Sequence, residues 1–164
     1  LSSGTGGGII QVKQSVQTQP QTATSGNFHA SGGNNFSAFA DIPGISVDIT
    51  PSTSDSKVLV SYNLYLGGNS IVTYLRLLRD STGLAIPSGV TNGSTGVNFI
   101  ENNGNGFFVM NCFQFLDSPN TTNSVTYKVQ WAGNTTTTLY LNRYPGSSDS
   151  YIGSSSITVM EVSG

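Results

Sequence analysis

Between residues 57 and 66 the chain alternates strictly, with Val58, Val60, Tyr62, Leu64 and Leu66 on one side and Leu59, Ser61, Asn63 and Tyr65 on the other. A period of two is the mark of a strand. It recurs at 9–16, where Ile10, Val12 and Val16 point one way. It recurs again at 45–50, where Ile45, Val47 and Ile49 alternate with Ser46, Asp48 and Thr50. At 124–132, Val125, Tyr127, Val129 and Trp131 face away from Thr126, Lys128 and Gln130, and 156–162 repeats the pattern. Shorter strands are expected at 36–41, 71–79, 84–86, 97–100 and 139–141. Pro43-Gly44, residues 51–56, Gly67-Gly68-Asn69 and residues 80–83 read as turns. Residues 18–35, 88–96 and 142–155 read as polar loops. No segment carries a sustained helical period. The expectation is all-β, and a jelly-roll β-sandwich fits the strand number best. An immunoglobulin-like sandwich is the competitor, but it runs nearer roughly 100 residues than the 164 found here. If the first and last strands lie side by side, both chain ends leave at one pole.

The densest apolar run is Phe107-Phe108-Val109-Met110-Asn111-Cys112-Phe113-Gln114-Phe115-Leu116, set between a Gly/Asn-rich turn and Pro119. Phe107, Val109, Phe113 and Phe115 share one side with Asn111. Phe108, Met110, Cys112 and Leu116 share the other with Gln114. A strand at the edge of a solvated sheet alternates apolar with polar, and this one does not. It is therefore expected to be central and covered on both faces, by its own core and by a second copy of the chain. Phe108, Met110 and Cys112 are the expected contact residues.

Composition narrows the function classes. Charged residues make up only 9% of the chain, and Gly, Ser, Thr and Asn supply nearly half. A surface that is polar without being charged suits an extracellular setting. The net charge of −2 and the scattered Lys13, Lys57, Arg76, Arg79, Lys128 and Arg143 argue against nucleic acid. No apolar run is long enough to span a membrane. Residues 1–8, Leu-Ser-Ser-Gly-Thr-Gly-Gly-Gly, read as a flexible linker to an upstream shaft, and residues 9–164 as one domain.

Catalytic chemistry finds little to stand on. The one histidine, His29, falls in a polar loop, and the one cysteine, Cys112, is read as a buried, inert thiol. Eight carboxylates are dispersed, and Asp41, Asp48 and Asp149 form no acidic-ligand run of the EF-hand type. The chain is read as non-enzymatic, without cofactor or metal. Four N-x-S/T sequons stand at Asn35, Asn92, Asn120 and Asn134. Binding chemistry remains: loops rich in Asn, Ser, Gly and Tyr supply adaptable hydrogen bonds and flat apolar rings. The candidates are 31–35, 102–105 with Asn102 and Asn103, and 143–152 with Arg143, Tyr144 and Tyr151.

Several motifs carry a family likeness. They are Ile49-Thr50-Pro51-Ser52-Thr53-Ser54-Asp55-Ser56-Lys57-Val58, Phe115-Leu116-Asp117-Ser118-Pro119-Asn120, Val125-Thr126-Tyr127-Lys128-Val129-Gln130, Asn142-Arg143 and Ser155-Ser156-Ile157-Thr158-Val159-Met160-Glu161-Val162. Together they resemble the C-terminal head domains of fibre and other virion-surface proteins of aquatic double-stranded DNA viruses, chiefly tailed phages and some large algal viruses. The resemblance implies a C1q/tumour-necrosis-factor-like sandwich assembling as a homotrimer on the virion surface. Its implied task is adhesion, with a host cell-surface receptor, expected to be glycan, as partner. Two other readings fit the residues: a monomeric carbohydrate-binding module of a secreted protein, and a structural capsid decoration protein with no receptor.

Overall fold

The computed structural model describes residues 7–28, 35–69, 72–86, 98–101, 106–146 and 152–164. Among them are eleven strands: β1 (Ile9–Gln17), β2 (Gln21–Thr24), β3 (Ala40–Ile49), β4 (Lys57–Gly68), β5 (Val72–Arg79), β6 (Thr82–Leu84), β7 (Asn98–Glu101), β8 (Phe107–Asp117), β9 (Val125–Gly133), β10 (Thr138–Leu141) and β11 (Ser155–Val162). One 3-10 turn, Phe36–Ala38, is the only helical element among the described residues. The protein is all-β, with two antiparallel sheets packed face to face. In the first, β1 pairs β11, β11 and β10 pair one side of β4, β2 pairs β10, and β8 pairs the other side of β4. In the second, the order is β3, β9, β5, with β6 and β7 both on β5. Four of the pairings nest: β1 with β11, β3 with β9, β4 with β8, β5 with β7.

The alternating residues meet between the sheets as expected. Val58, Val60, Tyr62, Leu64 and Leu66 of β4, with Ile157 and Val159 of β11, face Ile45 and Ile49 of β3, Leu75 and Leu77 of β5, and Val125, Tyr127, Val129 and Trp131 of β9. Each fully buried large side chain contributes about 1.5–3 kcal/mol. At the end of β8 a carboxylate enters this interior with a cationic partner. Arg79 and Tyr127 both bond Asp117 Oδ2, at 2.6 and 2.7 Å. Burial and that carboxylate push the Tyr127 phenol well above its ordinary value.

Three expectations are corrected. Pro43-Gly44 is no turn between strands: β3 runs through it, and the irregularity lies between Asp41 and Ser46, with Gly44 at φ 75°. β3 pairs only β9 among the described residues, and proline and an extra loop of chain are tolerated on such an edge. Residues 36–41 are no strand of their own, because 36–38 form the 3-10 turn. The polar stretch 18–35 holds β2 and a fully buried Phe28, which packs on Phe39 and Tyr74 at ring separations of 5.4 and 4.8 Å.

The pairing of Ile9 with Val162 and the bond from Ser163 N–H to the Gly8 carbonyl bring both ends of the described chain to one pole. The flanks of all three candidate loops lie at the other. Phe28 N–H bonds the Gly133 carbonyl, Gly68 pairs Phe107, and Asn142 N–H bonds the Tyr65 carbonyl. No helix among the described residues is long and apolar enough to cross a membrane.

Candidate functional site

Register fixes what the outer face of the first sheet presents. Val12, Met160, Leu59 and Leu116 stand opposite one another across β1, β11, β4 and β8, an apolar row spanning the whole sheet. The next row is polar, Gln14, Thr158, Ser61 and Gln114, with Gln14 Nε2 bonding Thr158 Oγ1 at 2.8 Å. Val16, Ser156, Asn63 and Cys112 follow, then Tyr65 beside Met110, then Phe108 and Tyr140 on either side of Gly67. The Tyr65 and Phe108 rings stack at 5.5 Å. Met110 is 55% exposed, Leu116 51%, Val12 51% and Val16 53%. In the middle, small side chains leave a depression of about 470 Å³ lined by Ser61, Tyr62, Asn63, Cys112, Phe113 and Gln114.

β8 is not the central strand that its composition suggested. Among the described residues it pairs β4 alone, over eleven consecutive positions without a shift of register. One long edge of backbone donors and acceptors therefore lies beside an apolar face. Long, regular, apolar edges template pairing or packing with another chain. The other edges are blunted. β3 carries Pro43 and its irregularity, β1 has a register shift between Ile9 and Gln11, and β6 and β7 are short. In the single chain the Cys112 thiol is exposed, on the outward side with Met110. Phe108, half-buried, and Met110 point outward as the alternation indicated.

The outer face of the second sheet differs in kind. Lys128 pairs Asp41 at 3.0 Å, Gln130 bonds the other oxygen of Asp41, and Arg76 Nε donates to Gln130 at 2.6 Å. Thr126 Oγ1 donates to Asp48 at 2.6 Å. The Arg76 guanidinium lies 4.4 Å from the centre of the Phe39 ring. Burial alone would raise the Asp41 carboxyl, but Gln130 and Lys128 outweigh it and hold the group below its usual value. Phe28, Ala38 and Phe39 cover Tyr74 and Ala132 on the same face. This surface is closed by its own chain.

The distal pole is built around Asn142, a fully buried residue at φ 60°. β10 and β11 run along the same side of β4, and the chain leaves that line after Asn142 to rejoin it at Ser155. Asn142 clamps the neck. Its side-chain amide donates to the Gln17 and Gln19 carbonyls at 2.7 and 3.3 Å, and its Oδ1 accepts from Ser155 Oγ at 2.6 Å. Its carbonyl accepts from Gly153 N–H at 3.1 Å. Arg143 bridges Ile152 and lies 5.7 Å from the Tyr140 ring centre. Tyr144, half-buried, reaches the start of β8, its hydroxyl 2.7 Å from where a Cβ on Gly106 would stand. A loop on so rigid a neck is the arrangement in which binding residues are commonly held.

The structure thus brings Arg143 and Tyr144 to the base of one loop, next to the Gly106 end of β8. Asn102, Asn103, Tyr151, His29 and Asp149 lie outside the described residues. Asp41 and Asp48 are both engaged on the second sheet. Among the described residues no group of three or more His, Cys, Asp or Glu is placed to hold a metal ion. Sequence reading missed Asn142 as a clamp; its only signal was an Asn closing an apolar strand, a residue type that tolerates positive φ. No protein-family model matches the chain, and no curated protein matches it either.

Proposed function

We propose that this chain is the head domain of a virion fibre, a non-enzymatic adhesin that attaches a virus particle to a host surface, with glycan as the receptor class. Three copies associate through the outer face and free edge of β8, with Phe108, Met110 and Cys112 in the contact. The distal loops, with Asn102, Asn103, Arg143, Tyr144 and Tyr151, meet the receptor. The nested pairing of β1 with β11, β3 with β9, β4 with β8 and β5 with β7 supports the jelly-roll, C1q/tumour-necrosis-factor-like reading.

The observation that carries the proposal is the exposed apolar outer face of the first sheet beside an unblunted edge. Exposed apolar side chains gathered on one face, with polar groups among them, favour an interaction site there. The central depression accepts a protruding side chain of the neighbouring copy. The ends of the described chain at one pole and the flanks of the candidate loops at the other suit a head on a shaft. Three identical loop sets on one head raise avidity without any single tight site.

Binding of the purified domain to a glycan array, followed by competition on host cells, tests the adhesive role. Saturable binding weakened by Tyr144→Ala, with melting temperature nearly unchanged, is the expected result. A trimer that binds neither glycans nor cells would instead be a structural decoration protein, and a glycan-binding monomer a carbohydrate-binding module.

A further inference from the structure

A buried carboxylate stands where the first strand meets the body of the sandwich. Glu161, on the core side of β11, is 0% exposed. Three donors converge on it: Ser52 N–H at 2.7 Å, Ser52 Oγ at 2.6 Å and the Gln11 side-chain amide at 2.6 Å. None of the three is charged, and neither ion pair among the described residues includes Glu161. Gln11 belongs to β1, and Ser52 to the turn between β3 and β4. The Gln11 amide also donates to the Thr50 carbonyl at 2.7 Å. One negative charge therefore ties β11, β1 and that turn together.

β1 has little else to hold it. None of its nine residues is buried, and its apolar side chains, Ile9, Ile10, Val12 and Val16, are all exposed. Apart from the ladder with β11, its attachments are polar: Gln11 as above, Gln14 Nε2 to Thr158 Oγ1 at 2.8 Å, Ser15 Oγ to the Gly44 carbonyl at 2.8 Å, the Asn142 amide to the Gln17 carbonyl at 2.7 Å at its far end, and a long 3.5 Å contact from Gln17 to the Pro43 carbonyl. Segments without buried apolar contacts open at lower free energy than the core. Hydrogen bonds to an ionised acceptor are the strong ones. We propose that the Glu161 charge is the latch of β1: ionised, it fastens β1 and the Ser52 turn to the sandwich, and neutralised, it lets both loosen while the two-sheet body stays closed.

Titration of the group agrees in sign. Burial alone would raise Glu161, but hydrogen bonds from Ser52, Gln11 and Ser56 outweigh it and hold the carboxyl at about 2, against an ordinary 4.5. A folded-state value below the ordinary one means that the latch is at full strength above pH 4.5 and is lost as pH falls toward 2. The other charged groups on the surrounding elements are Lys13 on β1, Asp48 and, engaged by Lys128 and Gln130, Asp41 on β3, Asp55 in the turn, Lys57 on β4 and Asp117 across β4. Lys57 is bonded to Ser118, Asp48 to Thr126, and Asp117 to Arg79 and Tyr127, while Lys13 and Asp55 are exposed. The latch is independent of the adhesive role.

Hydrogen exchange read by mass spectrometry on the intact chain tests it. In Glu161→Gln at pH 7, amides of β1 and residues 51–56 are expected to exchange at least tenfold faster than in the parent, with β4 and β9 unchanged. Equal protection in the two proteins, or the same acceleration in every strand, overturns the latch. Gln11→Ala, which leaves the carboxylate and its Ser52 donors in place, provides the second arm should Glu161→Gln fail to fold. It must loosen β1 by the same measure, and unchanged β1 protection there overturns the proposal as well.

Discussion

The sandwich has two outer faces, both made by the outward half of a period-two alternation, and they have been finished differently. On the second sheet the outward residues of β3, β9 and β5 bond one another from Asp48 through Thr126 and from Asp41 through Lys128 and Gln130 to Arg76. Of the apolar side chains there, Tyr74 and Ala132 lie under Phe28 and Phe39. On the first sheet the outward positions of β1, β4, β8 and β11 include Val12, Leu59, Leu116, Met110 and Met160, and only Gln14 and Thr158 bond side chain to side chain among those rows. The chain spends Phe28 and a 3-10 turn on covering one face and leaves the other bare, which is the contrast expected of the proposed assembly.

The largest effect that breaks this contrast is a charge on the bare face. Met110→Lys leaves the single chain intact, because Met110 is already 55% exposed, and abolishes assembly. The expected readout is a folded monomer by circular dichroism and size-exclusion chromatography, with association at least about a hundredfold weaker, as follows from burying an unpaired charge. Unchanged assembly would remove β8 from the interface.

On the covered face, Phe28→Ala is expected to cost about 3–5 kcal/mol by chemical denaturation, since it empties a fully buried site against Phe39 and Tyr74. Oligomeric state should not change. Glu161→Gln comes next. The parent should lose on the order of 2 kcal/mol of stability between about pH 4.5 and pH 2, and the variant should show a flattened acid limb. The smallest effect is expected at Asp41→Ala, whose partner Lys128 is half-buried and whose own side chain is 55% exposed. A loss of about 1 kcal/mol or less, with assembly intact, would mark the second face as solvent-facing.

Much of the fold is legible in the sequence because alternation is local. The strands at 57–66, 124–132 and 156–162 lie close to their observed bounds, and the inward sets are those that the period assigns. What was hidden depends on contacts distant in sequence. β2 is four polar-leaning residues, Gln21–Thr24, whose strand state comes from pairing with β10 more than a hundred positions away. Phe28 stands alone among small polar residues, with no periodicity to say that it is buried. Pro43-Gly44 has turn chemistry, and only the position of β3 at an edge lets the strand continue through it. Asp117 and Glu161 look like ordinary strand-end carboxylates until Arg79, Ser52 and Gln11 arrive from elsewhere in the chain. For β8 the composition says that both sides are apolar, but not whether a neighbouring strand or another molecule covers its edge.

That last point is tested most directly by the mass of the purified domain in dilute solution, measured by multi-angle light scattering at low-micromolar concentration. An assembly through the bare face predicts a single species of three times the 17.2 kDa chain mass, unchanged on dilution. A stable, monodisperse species of 17.2 kDa would contradict it, because the apolar rows of the first sheet would then be content in water.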